Sequence, residues 1–173
     1  MEERPIVITG FMGSGKTCVA RALAAHLRCT ATDLDEMITS LAQRTPGELI
    51  TQEGEAAFRE IETQVLKQTL NDGARVIALG GGAWTIADNR NLIADFDCLT
   101  VWLDVPFELC WKRIIAAGGD RPLARDQEQA RALYRIRQPS YELAKLRIEA
   151  TDDLGANEVA QRVAAVLTTG RRG

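Results

Sequence analysis

Eight residues near the start of the chain have the types and spacing needed to hold phosphate groups. Residues 10–17 read G-F-M-G-S-G-K-T and fit the pattern G-x-x-x-x-G-K-[ST]. Glycines allow successive backbone N–H groups to turn towards phosphate oxygens, and the start of a following helix adds positive potential. Lys16 can neutralise charge on the β- and γ-phosphates, and the Thr17 hydroxyl is placed to ligate Mg²⁺. The stretch therefore predicts a nucleotide site, in which we also place Gly13, Ser14, Gly15 and Cys18.

A pair of carboxylates follows the second apolar stretch. Asp33 and Asp35 flank one residue, and in an extended segment both side chains would point the same way. One carboxylate could then hold a magnesium-bound water while the other orients an acceptor hydroxyl. An N-cap on the next helix is an alternative of nearly equal weight.

Arginines and a triple glycine extend the set of candidate residues. Arg59 lies on an amphipathic helix three residues before Glu62, and the simplest interpretation of that pair is a surface ion pair worth less than ~1 kcal/mol. The glycines at 80–82 follow a buried strand and would permit close approach of the backbone to a ligand, although a plain loop is the alternative. Arg121 lies in a segment that has two glycines and no helical or strand periodicity. A lid that closes over a ligand requires such a segment, although a mobile surface loop is the alternative.

Apolar runs that alternate with helical patterns would position these residues. We predict strands over 5–9, 29–32, 76–79, 99–103 and 146–150. A helix is expected from about Lys16, a longer helix ends near Gly73, and a later helix is expected to be interrupted near Pro139. This order indicates an α/β fold of three layers, with a five-stranded parallel sheet covered on both faces. The glycines and paired aspartates follow strands, where ligands bind in such sheets.

Composition limits the functions that are possible. A length of 173 residues fits one domain spanning the chain, and a formal charge of −3 argues against bulk nucleic-acid binding. The sequence has neither a signal-peptide pattern nor an apolar run long enough for a membrane span, so we expect a cytoplasmic protein. The four cysteines lack metal-ligand spacing, and because three of them lie in apolar segments, buried free thiols are expected. His26, the only histidine, is assigned no catalytic role, and Trp102 and Tyr141 are expected to pack in the core.

The ordered motifs resemble those of shikimate kinases, a branch of the nucleoside-monophosphate-kinase-like P-loop group. After the phosphate loop (residues 10–17) come the motifs T-D-L-D, G-E-A-A-F-R-E-I-E, L-G-G-G-A, R-P-L and R-Q-P-S-Y. The resemblance extends from Ile6 to about Ala150. The phosphate loop is common to many NTPases, whereas the combination of F-R-E-x-E, G-G-G and R-P-L is much more specific.

The resemblance implies roles for individual residues. Asp35 would bind the acceptor hydroxyls, and Asp33 would lie near the magnesium ion, acting through water. Arg59 and Arg137 would clamp a carboxylate, for which planar guanidinium groups are suited. Gly80, Gly81 and Gly82 would line the acceptor pocket, Phe58 would pack its wall, Arg113 would stack on adenine, and Arg121 would reach the transferring phosphoryl group. The acceptor-binding segment would span about 33–62 and a mobile lid about 116–125.

Three positions and one loop depart from the family pattern. Leu34 replaces a small hydroxyl residue, Ile50 replaces a frequent aromatic residue, and Ala124 replaces a leucine. Residues 151–156 lack the proline often found in the adenine-side loop. These changes remove no charged group, so they would alter pocket shape and affinity rather than the mechanism.

The resemblance predicts transfer of a phosphoryl group from ATP to the 3-hydroxyl of shikimate, with one Mg²⁺ per subunit and a monomeric protein. A kinase of the same fold acting on gluconate or a nucleoside monophosphate is one alternative. A catalytically silent module that senses nucleotide or metabolite is another, although such copies usually lose Lys16, the aspartate pair or the lid arginine.

Overall fold

The structure, a computed structural model, describes residues 4–118, 122–152 and 154–169. Within those residues one sheet has the strands β1 (Ile6–Thr9), β2 (Ala31–Asp33), β3 (Val76–Ala78), β4 (Leu99–Asp104) and β5 (Leu146–Glu149). The helices are α1 (Lys16–His26), α2 (Leu34–Ala42), α3 (Pro46–Glu53), α4 (Glu55–Asn71), α5 (Ala87–Asp95), α6 (Phe107–Ala117), α7 (Gln127–Tyr141) and α8 (Ala156–Thr169), with one 3₁₀ turn at Ala83–Thr85. None of these helices is long and apolar enough to cross a membrane.

The five strands are all parallel and lie in the order β2-β3-β1-β4-β5. In register, Ile8 of β1 pairs with Ala78 of β3 on one side and with Val101 of β4 on the other. Helices cover both sides of the sheet, which confirms the predicted α/β fold. Because β1, β3 and β2 are neighbours, the segments that follow them start at one edge of the molecule.

Strand composition explains the burial of the sheet. All four residues of β1 and all three of β3 are buried, as expected for parallel strands covered on both faces. The edge strand β2 also has three residues, and all three are half-buried. Its first residue is Ala31, so the predicted start at Cys29 was two residues too early.

The prediction of an interruption near Pro139 was wrong, because α7 continues through this residue to Tyr141. The amide of Glu142 still donates to the carbonyl of Gln138 at 3.1 Å, which shows that helical bonding continues beyond the proline. Pro139 lies in the last turn and on the exposed side. Water can therefore satisfy the carbonyl that the missing amide leaves free.

The expectation of buried free thiols, which rested on three cysteines in apolar segments, is confirmed for two of the four cysteines. None of the four cysteines forms a disulfide; Cys18 is exposed and Cys29 is half-buried, whereas Cys98 and Cys110 are buried. Trp102 and Tyr141 are buried as predicted, with their rings stacked at a centroid distance of 6.2 Å.

Candidate active site

The phosphate loop connects β1 to α1, and its backbone requires glycine. Gly13 and Gly15 have φ angles of 76° and 89°, in the left-handed region. A β-carbon on Gly13 would lie 2.6 Å from the carbonyl oxygen of Cys110 in α6. The loop therefore follows its curled path directly against α6.

Lys16, the first residue of α1, folds back over this loop. Its Nζ donates to the carbonyl oxygens of Gly10 at 3.0 Å and Phe11 at 2.9 Å. Burial lowers the pKa of the Lys16 ammonium to about 8, although the nearby carboxylates of Asp35 and Asp33 favour its charged form. A half-buried cation that faces a cavity is suited to receiving an anionic ligand.

Asp33 has the N-cap role that the sequence left open, and its carboxylate also contacts Thr17. It is the N-cap of α2, where its Oδ1 accepts from the amides of Asp35 at 2.9 Å and Glu36 at 3.2 Å. Its other oxygen, Oδ2, accepts a hydrogen bond from the Thr17 hydroxyl. The cap thus fixes the carboxylate beside the phosphate loop.

The expectation of an extended Asp33–Asp35 pair was wrong, because the strand ends at Asp33 and α2 begins at Leu34. Asp35 therefore projects from the first helical turn. Its side chain nevertheless faces the triple glycine: a β-carbon on Gly80 would lie 2.7 Å from Oδ1 of Asp35. The two carboxylates reach one cavity by different local structures.

Arg59 and Glu62 form a buried ion pair in α4, not the surface pair that the sequence suggested. Nη1 of Arg59 lies 2.7 Å from Oε2 of Glu62, and the two side chains are 17% and 1% exposed. Arg59 also bonds Glu55 and lies over the Phe58 ring, with its Cζ 5.1 Å from the centroid. Burial raises the pKa of the Glu62 carboxyl above its usual range, more strongly than the charge of Arg59 lowers it.

The triple glycine is the point on which these side chains converge. A β-carbon on Gly82 would lie 2.2 Å from Nη2 of Arg59. A β-carbon on Gly81 would lie 3.4 Å from Nη1 of Arg137 and 3.3 Å from the amide nitrogen of Met12. Close approach of side chains to the backbone is therefore what requires glycine here.

Arg137 is held in place by the segments around it. It is buried in α7, and burial lowers the pKa of its guanidinium from the usual value. Tyr141, one turn further along α7, donates from its hydroxyl to the carbonyl of Gly81 at 2.5 Å. In the 3₁₀ turn that follows the glycines, the indole of Trp84 donates to the carbonyl of Ser140 at 2.7 Å. These two bonds fix α7 against the loop of Gly80, Gly81 and Gly82, here called the glycine loop.

One cavity of about 470 Å³ connects the phosphate loop to the glycine loop. The predicted site residues that line it are Gly13, Gly15, Lys16, Thr17, Cys18, Asp33, Asp35, Phe58, Arg59, Gly80, Gly81, Gly82, Arg113 and Arg137. Ser14 is buried beneath the loop and is not in the lining. Ile50 lines the acceptor end, Ala124 is buried, and Arg121 lies outside the described residues.

Arg113 approaches the nucleotide end of this cavity from α6. Its Nη1 lies 3.4 Å from the carbonyl oxygen of Gly13 and 3.5 Å from that of Ser14. The guanidinium therefore covers the outer side of the phosphate loop.

Comparison with known proteins identifies the family. A family model for shikimate kinase matches residues 12–168. A shikimate kinase from Cereibacter sphaeroides is 36% identical over 170 residues, covering 96% of this chain and 84% of the relative. The chain belongs to the shikimate kinase family.

Solved structures of the family agree with this assignment. The structure of shikimate kinase from Acinetobacter baumannii in complex with shikimate has a TM-score of 0.91 and 34% identity, covering 99% of this chain and 97% of that chain. A gluconokinase from Sinorhizobium meliloti has a TM-score of 0.59 and 16% identity, a likeness that shows the fold alone. Family membership confirms the predicted resemblance. It also confirms that the protein is an ATP-dependent kinase.

Two residues of the site were assigned too small a role by sequence reasoning. Glu62 was treated as the partner in a surface pair, although it lies within the F-R-E-x-E motif and between Arg59 and Gly80. Tyr141 was treated as core alone, yet its hydroxyl holds the glycine loop. The contact between Tyr141 and Gly81 joins residues that are 60 positions apart. Sequence reasoning could have predicted it only by considering the G-G-G and R-x-P-x-Y motifs together.

The residues around Thr17 suit magnesium. Mg²⁺ prefers hard oxygen ligands and keeps several waters, and the Thr17 hydroxyl and the Asp33 carboxylate supply such oxygens side by side at the phosphate loop. Phosphate oxygens of a bound nucleotide would complete the coordination.

Proposed function

We propose that this protein transfers the γ-phosphoryl group of ATP to the 3-hydroxyl of shikimate, giving shikimate 3-phosphate and ADP in the aromatic (chorismate) pathway. The observation that carries this proposal is the convergence of Arg59, Arg137 and Asp35 on the glycine loop, in the same cavity as the phosphate loop. This arrangement offers two guanidinium groups and one carboxylate to an acceptor, and a cation and backbone amides to a donor.

The acceptor end fits a small molecule with one carboxylate and several hydroxyls. Arg59 and Arg137 would bind the carboxylate through charge-assisted hydrogen bonds. Asp35 would accept hydrogen bonds from ring hydroxyls, and amides of the glycine loop would donate to the acceptor. Phe58 and Ile50 would contact its apolar face.

Positioning and electrostatics would supply most of the rate. Asp35 would orient the 3-hydroxyl for in-line attack, and Lys16 would leave its loop carbonyls to bind phosphate oxygens as charge moves to the leaving group. Thr17, and Asp33 through water, would hold one Mg²⁺ per subunit, which neutralises phosphate charge when bound. The phosphate-loop residues Gly13, Ser14, Gly15 and Cys18 would bind the triphosphate.

The remaining assignments rest on the sequence pattern. Arg113 would contact the adenine end from its place beside the phosphate loop. Arg121 would close over the phosphoryl group from a lid at about 116–125. The whole chain would form one domain. A cytoplasmic location stays a prediction.

A coupled assay of ADP release tests the proposal. Purified protein with Mg-ATP is expected to release ADP at a rate that rises and saturates with shikimate, with little release without an acceptor, because a closed site excludes water. Gluconate and nucleoside monophosphates serve as matched acceptors. Folded protein that shows no shikimate-dependent turnover, or that prefers another acceptor, contradicts the proposal. Binding of both substrates without turnover would instead support the silent module.

A further inference from the structure

Asn89 is a buried polar residue whose side chain joins two parts of the acceptor end. It lies in the first turn of α5, and its exposed fraction is 0%. Its Nδ2 donates to the carbonyl oxygen of Ala83 at 3.0 Å, and its Oδ1 accepts from the Thr63 hydroxyl at 2.8 Å. Because a carbonyl oxygen can only accept, these two partners determine the orientation of the Asn89 amide.

The two partners of Asn89 lie next to residues of the proposed acceptor site. Ala83 directly follows Gly82 and is the first residue of the 3₁₀ turn. Thr63 lies on α4 four residues after Arg59, and residues four apart share one side of a helix. The Asn89 side chain therefore connects the Arg59 side of α4 to the end of the glycine loop.

These hydrogen bonds complete a ring of contacts at the acceptor end. Nη2 of Arg59 faces Gly82, where a β-carbon would lie only 2.2 Å away. Thr63 and Asn89 form a second connection between α4 and the same loop. With two connections, α4 cannot shift along the loop without breaking one of them. A displacement of about 1 Å at a site of this kind can lower a rate roughly 100-fold.

Two further side-chain bonds hold the 3₁₀ turn. Nη1 of Arg90 donates to the carbonyl of Trp84 at 2.7 Å, and the Thr85 hydroxyl donates to the carbonyl of Gly82 at 2.7 Å. Consecutive residues of α5 thus bond consecutive carbonyls of the turn. The start of α5 therefore supports the end of the glycine loop, and Asn89 extends this support to α4.

A satisfied polar residue of the core is the simpler interpretation of Asn89. Burial of an amide group is costly unless the group is hydrogen-bonded, and the two bonds offset that cost. Such a residue would stabilise the fold without any effect on acceptor affinity. Asn89 and Thr63, both in the described part of the chain, do not line the cavity, so an effect on the acceptor has to pass through Arg59 and the glycine loop.

We propose that Asn89 is a positioning residue of the acceptor site. It holds α4 and the glycine loop at the spacing at which Arg59 binds the carboxylate of the acceptor. This role rests on the proposed function, because the acceptor in question is the carboxylate-bearing substrate. Asn89 itself contacts neither substrate.

Thr63→Val breaks the bridge with little change of shape. Valine has no hydroxyl, so Oδ1 of Asn89 loses its donor and the amide is no longer fixed. KM for shikimate is expected to rise by about 3- to 10-fold, as for loss of one net hydrogen bond, while KM for ATP stays within about twofold. Thr63→Ser keeps the hydroxyl and should restore the wild-type KM.

Asn89→Asp tests the other half of the bridge. The carboxylate can still accept from the Thr63 hydroxyl, but it has no proton to donate to the carbonyl of Ala83. KM for shikimate should again rise, and KM for ATP should not. Thr63→Val keeps the test available where Asn89→Asp does not fold.

Thr69→Val is the matched control, because it makes the same substitution at a buried threonine of the same helix. Within the described residues the Thr69 hydroxyl has no hydrogen-bond partner. Both KM values should equal those of the wild-type protein. A general loss of stability reduces the amount of folded enzyme and lowers the apparent kcat without changing KM. A rise of one KM alone therefore separates positioning from support of the fold.

Amide hydrogen exchange measures the bridge without any substrate. In the 3₁₀ turn the amide of Thr85 donates to Gly82 at 3.0 Å and that of Ile86 donates to Ala83 at 3.4 Å. Exchange of these amides should be faster in Thr63→Val than in the wild-type protein and the control variant.

Two results would overturn the proposal. The first is an unchanged KM for shikimate in Thr63→Val with faster exchange, since the bridge would then support the fold alone. The second is exchange that Thr63→Val leaves unchanged, which would show that the bridge does not hold the loop. Neither result affects the proposed function, which fails instead if the wild-type protein has no shikimate-dependent turnover.

Discussion

The neighbours of Arg59 determine which part of its guanidinium can bind an acceptor. Its guanidinium is shared among Glu62, Glu55 and the Phe58 ring, and the edge that carries Nη2 faces Gly82. Glu62 therefore fixes the direction of the guanidinium while part of it remains available to a ligand. Removal of Arg59 would leave the Glu62 carboxyl buried without its cation, which is destabilising in itself.

Arg59→Lys separates these two effects. Lysine keeps the positive charge beside Glu62, but it lacks the planar fork that binds a carboxylate through two parallel bonds. We expect KM for shikimate to rise by about 10- to 100-fold, the loss of one charge-assisted hydrogen bond, with KM for ATP nearly unchanged. Steady-state kinetics with each substrate varied in turn measure this difference.

Arg21→Lys is the matched control for that experiment, because Arg21 forms an exposed ion pair with Glu36 in another part of the surface. It should change neither constant. A parallel rise of KM for both substrates in Arg59→Lys would argue against a carboxylate-binding role.

At the scale of elements, the loop after β3 is the feature that organises the acceptor end. Its three glycines have ordinary backbone angles, since none of them is among the glycines with positive φ. Their common property is the absence of a side chain, which lets Asp35, Glu62, Arg59 and Arg137 come close to the backbone. The glycine loop is therefore a contact surface more than a flexible hinge.

Gly82→Ala tests that interpretation. The added methyl group would lie 2.2 Å from Nη2 of Arg59, so the guanidinium must move away. We expect KM for shikimate to rise by at least about 10-fold, in line with loss of a hydrogen bond to a charged group, while KM for ATP stays nearly constant.

Gly155→Ala provides the comparison, because its new methyl group would meet nothing nearer than 3.9 Å and its φ is not in the left-handed region. Its kinetics should match those of the wild-type protein. An unaltered shikimate KM in a folded Gly82→Ala protein would show that Arg59 does not contact the acceptor.

Local patterns in the sequence were sufficient to predict the structure of some segments and insufficient for others. The phosphate loop was predictable because its glycines, lysine and hydroxyl residue are contiguous. The Asp33–Asp35 segment was not, since alternation applies only to extended chain and the Asp33 cap starts α2 at the next residue. The interruption predicted at Pro139 was wrong because the free-energy cost of a proline depends on its position within a helix. Here Pro139 lies in the last turn of α7.

At the scale of the whole molecule, strand order brings the site together. The order β2-β3-β1 sets the phosphate loop, the glycine loop and the Asp33 cap side by side, although they lie far apart in sequence. Periodicity predicted the parallel sheet but could not give the burial of Glu62 or the bond from Tyr141 to Gly81, because both depend on contacts between distant segments. The family resemblance supplied the proposed carboxylate-binding roles of Arg59 and Arg137, which residue patterns alone left open.

Identification of the reaction product tests the central claim most directly. The protein is incubated with Mg-ATP and shikimate, and the product is examined by ³¹P and proton NMR with through-bond phosphorus–proton correlation. We predict a single new phosphomonoester coupled to the proton on C3 of shikimate, formed in equal amount to ADP. A phosphate on another hydroxyl, or ADP released without phosphorylated shikimate, would contradict the proposed function.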